Sequence, residues 1–107
     1  MNRGKWSKLR KLGYRVTSAQ EFLGLSDEEV ALIDLKIALI EMLKEKRQSK
    51  GMTQHQLARL IRSSQPRVAM LEKGASDVSL DLICRALFAL GVTRTGLGKA
   101  IISHRAA

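Results

Sequence analysis

The side chains with the most evident chemistry lie in residues 53–74, TQHQLARLIRSSQPRVAMLEKG. A glutamine can pair two-fold with adenine, and an arginine with guanine or with a phosphate. Gln65 and Arg67 supply these groups at the start of a short expected helix, 65–72. Val68 and Leu71 have the spacing of an inward face, which leaves Gln65, Arg67, Ala69 and Met70 free or partly free to face outward. Met70 has a core reading as well as a groove-facing one. Gln54 opens the preceding helix, at its positive end, where a phosphate is readily held. Side chains of these types on a short exposed helix suit the major groove of DNA, and each good base pairing would contribute about 1–3 kcal/mol of discrimination.

The elements that must position these groups follow from local signals. Thr53 caps a helix over 54–61, with Gln56 in the capping-box position, and Leu57, Leu60 and Ile61 as its inward face. Ala58 is small where the two motif helices should cross. Arg62, Ser63 and Ser64 form the turn. Ser64 caps the next helix, and Pro66 falls in its first turn, where a missing N–H costs little. Gly74 ends it.

Ahead of the pair, SDEE is a second capping box, with Ser26 as the cap and Glu29 reaching back. It begins a long helix that Gly51 stops. At about 100° per residue, Leu32, Leu35, Leu39, Met42 and Leu43 share one broad side of it. Ile33, Ile37 and Ile40 form a second stripe, bounded by Asp34 and Glu41 on one edge and Lys36 on the other. One stripe serves the core. The other needs a cover: the 17–25 segment, a second subunit or a different protein. Thr17 is a possible cap for a short helix, 18–23, whose Phe22 and Leu23 would face inward before Gly24. After the motif, Ser79 caps a helix over 80–90 with Leu80, Ile83, Cys84, Leu87, Phe88 and Leu90 on its apolar side. A weaker helix spans 95–103, where Gly96 and Gly98 lower the propensity. The expected fold is all-α: a five-helix bundle with a short N-terminal helix.

Charge points the same way. The chain carries a formal +9 on 107 residues, which favours a polyanionic partner, nucleic acid before a membrane surface. A solvated basic surface or basic tail is the plainer alternative. Between residues 44 and 73 there are eight basic and two acidic side chains, a net of +6. Between 27 and 41 there are five acidic and one basic, a net of −4. The positive charge thus gathers around the motif. Residues 1–16 hold six basic side chains and no acidic one, and read as a flexible basic arm; Trp6 and Tyr14 within it could stack on bases or on a partner, or do neither.

The pattern TQHQLARLIRSSQPRVAMLEKG resembles the helix-turn-helix of the XRE, or lambda-repressor-like, family, whose usual form is TQxxLAxxxGxSQxxVSxxExG. Thr53, Gln54, Leu57, Ala58, Ser64, Gln65, Val68, Glu72 and Gly74 carry the match. The resemblance implies a lambda-repressor-like fold over 26–107, preceded by a basic arm with its short helix, 1–25. It implies that Gln54 holds a phosphate, and that Gln65, Pro66, Arg67 and Met70 face bases or flanking backbone. With Arg62, Ser64 and Lys73 these make the expected DNA-contacting set. It also implies an internal ion pair between Arg47 and Glu72. Arg62 departs from the pattern, where glycine is usual; a different turn is expected there, with the arginine reaching a phosphate.

EFLGLSDEEVALIDLKIALIEMLKEKR before the motif and SLDLICRALFALGV after it resemble HigA-type antitoxins. That resemblance implies a homodimer that represses its own operon and binds a RelE/HigB-like toxin, with the second apolar stripe and the basic arm as candidate partner surfaces. A stand-alone phage- or plasmid-type repressor is the alternative.

Other chemistries find little support. His55 and His104 lack a Cys or carboxylate at ligand spacing, so no metal and no cofactor is expected. Cys84 is the single cysteine and reads as a small core residue, compatible with a cytoplasmic setting. Ser63 and Ser64 have no base placed to activate them, and no enzyme constellation is found. The longest apolar stretch, 30–43, contains Asp34, Lys36 and Glu41, which excludes it as a membrane span.

Overall fold

A computed structural model of the chain describes residues 16–74 and 78–103. Among them are six helices and no strand: α1 (Val16–Leu23), α2 (Asp27–Ser49), α3 (Gln54–Leu60), α4 (Gln65–Lys73), α5 (Leu80–Ala89) and α6 (Arg94–Ser103). The all-α, lambda-repressor-like architecture read from the sequence is the observed one. The basic arm with Trp6 and Tyr14, and His104, lie outside the described residues.

Both capping boxes form. Ser26 accepts from the Glu29 N–H at 3.2 Å while the Glu29 carboxylate accepts from the Ser26 N–H at 3.0 Å. Thr53 and Gln56 exchange the same two bonds at 3.0 and 2.9 Å. Each box satisfies two backbone donors that the helix geometry leaves unpaired. Ser64 and Ser79 cap α4 and α5 through the N–H groups of Arg67 and Leu82.

The long helix α2 is the axis of the bundle, packed by α4, α5 and α6, while α3 packs on α4. Leu39 and Leu43 from its broad side are buried, and so are Ile33 and Ile40 from its second stripe. The second stripe therefore finds its cover inside the monomer and is no free partner surface. Lys36, expected at a polar edge, is also buried, because α2 is enclosed on more sides than its charge pattern suggests. Leu57, Ala58, Val68, Leu71, Ile83, Ala86 and Leu87 complete the centre of the core. Gly96 brings α6 close to α2: a Cβ there would meet Val92 Cγ1 at 3.3 Å and the Met42 methyl at 3.8 Å.

Three expectations fail at the margins. α1 begins at Val16, so Thr17 lies within the helix instead of capping it. Phe22 is 73% exposed, since the turn at Gly24 swings Leu25 into the core in its place. Leu60 and Phe88 are about half exposed, because Leu57 and Ala58 on α3 with Ile61 just after it, and Ile83, Ala86 and Leu87 on α5, already fill the inward stripes.

Candidate nucleic-acid interface

α3 and α4 are joined by three residues, and their ends fix where the polar side chains stand. α3 closes on Arg62, which adopts φ 55, the left-handed region. The expectation of a different turn is overturned. The reason lies in the backbone: the Arg62 N–H donates to the Arg59 carbonyl at 3.3 Å, and the Ser63 N–H donates to the Ala58 carbonyl at 2.8 Å. The same pair of bonds closes α1, α2 and α5, with Gly24, Gly51 and Gly91 at the left-handed position. These bonds satisfy carbonyls at the helix end that would otherwise lack partners. They hold Arg62 in a conformation that costs a side-chain-bearing residue roughly 1–2 kcal/mol.

α4 is a half-buried helix with a sharp division. Val68, Leu71 and Glu72 are buried. Gln65, Pro66, Arg67, Met70 and Lys73 are exposed, and Ala69 is half-buried. Ser64 and Arg62 are exposed immediately before it, so seven of the expected contact residues lie at the surface of one turn and one helix. Ser64 uses its oxygen as a cap acceptor, which leaves the hydroxyl hydrogen able to donate elsewhere. Pro66 falls in the first turn of α4.

Gln54 is the eighth expected residue, and its setting is more connected than the sequence suggests. It is half-buried at the start of α3, where its amide donates to Glu72 Oε1 at 3.1 Å. Its own carbonyl oxygen accepts from Gln65 Nε2 at 2.9 Å. Glu72 is in turn held by Arg47: Nε donates to Oε2 at 2.6 Å and Nη2 to Oε1 at 3.0 Å. Arg47 Nη1 donates to the Met52 carbonyl at 2.7 Å. The Arg47–Glu72 pair is 13% and 4% exposed, so it ties the end of α2 to the end of α4 away from bulk water. Removing one partner of such a pair strands a buried charge.

The whole chain of bonds runs from α2 through α4 and α3 to the exposed amide of Gln65. The Arg47–Glu72 contact was implied by the family pattern. The Gln54 bonds to Glu72 and Gln65 are not anticipated from the sequence; the one signal for them is that Gln54 and Gln65 both open helices.

Elsewhere the chemistry is sparse. Cys84 is half-buried; burial first, and the nearby Asp81 carboxylate second, push its thiol up from the ordinary range. Among the described residues no group of three or more His, Cys, Asp or Glu could hold a metal ion, and no helix is long and apolar enough to cross a membrane.

The helix-turn-helix family model HTH_3 matches residues 43–100. An uncharacterised HTH-type transcriptional regulator of Haemophilus influenzae is 37% identical over 68 residues, covering 64% of this chain and 69% of that protein. No solved structure gives a significant match.

Proposed function

The chain belongs to the helix-turn-helix family, and from that premise we propose that it reads operator DNA through α4. At the coarser level it is a DNA-binding transcriptional regulator, as family and relative agree, and this points away from enzymatic activity. The observation that carries the finer reading is the division of α4. Its apolar residues lock it into the bundle, while Gln65, Arg67 and Met70 stand outward beside a cationic turn.

In this reading Gln65 and Arg67 meet base edges. Gln54, Arg62, Ser64 and Lys73 meet phosphates, and Pro66 packs against the flanking backbone. Phosphate contacts set register, and base contacts set sequence preference. The protein acts as a homodimer, which presents two copies of α4 about 34 Å apart to successive major grooves. It works in the cytoplasm and requires no cofactor.

The finer biological role is that of an autorepressing antitoxin in a HigBA-like pair, supported by the resemblance of the segments on either side of the motif. The burial of Ile33 and Ile40 removes the stripe on α2 as a toxin-binding surface, so this role rests on the resemblance. A stand-alone repressor is the alternative. A gel shift on the DNA upstream of its own gene, with and without the product of the adjacent reading frame, tests both levels. A retarded band supports the regulator, and a supershift by an RNase-like neighbour supports the antitoxin. Failure to retard that fragment at moderate salt would count against autorepression.

A further inference from the structure

We infer that Glu72, buried on the inner side of α4, selects which base Gln65 accepts by fixing the direction of the hydrogen bonds between them. The inference rests on the reading of α4 as the base-reading helix.

A carboxylate accepts and does not donate. Glu72, clamped by the Arg47 guanidinium, therefore obliges Gln54 to turn its NH2 group inward, as observed at 3.1 Å. Gln54 must then present its carbonyl oxygen to Gln65, and Gln65 must answer with an N–H, as observed at 2.9 Å. That leaves Gln65 with one free N–H and a free carbonyl oxygen. One donor beside one acceptor is the complement of adenine, which offers N7 and the N6 amino group. If the chain ran the other way, Gln65 would accept from Gln54 and point two N–H groups outward. Two donors complement guanine, which offers N7 and O6. Glu72 is thus a positioning residue: its charge sets the polarity of the relay, and the polarity sets adenine over guanine.

The test uses the full chain and a pool of duplexes randomised across the binding site, with selection and sequencing. Gln65→Ala first identifies the base step that Gln65 reads. At that step the wild type should prefer adenine over guanine by about 5- to 150-fold, the range expected of one bidentate pairing. Glu72→Gln has the same shape but can donate as well as accept. It should cut the adenine preference to about 3-fold or less and raise guanine at that one step, while the preferences set by Arg67 stay. Gln54→Leu breaks the relay without touching the ion pair, and should also erase the preference; it serves if Glu72→Gln does not fold. A structural role alone would lower affinity for all sequences and move no base preference.

An unchanged adenine preference in the folded Glu72→Gln protein, or in Gln54→Leu if that is the variant that folds, overturns the inference and leaves the reading of α4 intact. No change at any step with Gln65→Ala overturns that reading, and the inference with it.

Discussion

Replacing Arg62 with glycine should make the protein more stable and a weaker DNA binder. Arg62 holds φ 55 at a position that Gly24, Gly51 and Gly91 occupy at three other helix ends. The left-handed conformation costs a residue with a Cβ roughly 1–2 kcal/mol, and glycine removes that cost. Against it stands the larger freedom glycine loses on folding, roughly 0.5–1 kcal/mol. The net gain is about 0.5–1 kcal/mol, or about 2–8 °C in Tm for a domain of this size.

Gly91→Ala is the internal control. A Cβ at Gly91 meets nothing within 4 Å, so its whole effect is the backbone at φ 89, and it should lose about 1 kcal/mol. Urea unfolding followed by far-UV circular dichroism measures both. Fluorescence anisotropy across a salt series measures the other consequence. One lost phosphate contact per subunit of the proposed dimer should make the slope of log K against log salt shallower by about 2. A neutral or destabilising Arg62→Gly, beside a destabilising Gly91→Ala, would refute the claim that Arg62 is a strained substitute for glycine.

Further expectations follow from burial and charge. Arg47→Ala and Glu72→Ala should each cost about 3–5 kcal/mol in urea unfolding, because each strands a buried partner. Losses much below 1 kcal/mol would mean that the pair is hydrated. Leu57→Ala, at a fully buried site, should cost about 2–5 kcal/mol, whereas Leu60→Ala, 46% exposed, should stay within about 0.5 kcal/mol. Equal losses would mean that Leu60 packs in solution. Cys84 should alkylate more slowly than free cysteine at mildly alkaline pH, since a raised thiol pKa lowers the reactive thiolate fraction; labelling followed by mass spectrometry reads this, and faster modification would contradict it.

The sequence announces those features that one helix or one turn settles by itself. Ser26 with Glu29, and Thr53 with Gln56, close hydrogen-bonded rings within four residues, so the starts of α2 and α3 are legible. Gly24, Gly51 and Gly91 mark helix ends for the same local reason. Features decided between helices are less legible. The exposure of Phe22 depends on how α1 turns into Leu25, and the burial of Lys36 on how many helices surround α2. Arg62 misleads because propensity disfavours its conformation, while two backbone bonds with Arg59 and Ala58 carry it. The outward set on α4 follows from the spacing of Val68 and Leu71. The relay from Glu72 to Gln65 joins residues 18 and 11 positions apart, and only the packing of α3 on α4 brings them into contact.

The central claim is that the outward side chains of α4 read base sequence. Affinity of the wild type, Gln65→Ala and Arg67→Ala for an operator duplex and for a scrambled duplex tests it most directly. Both substitutions should lower operator affinity by about 5- to 150-fold. Arg67→Ala should leave binding to the scrambled duplex nearly unchanged where the arginine meets a base. Folded variants that hold the operator as tightly as the wild type would contradict the account.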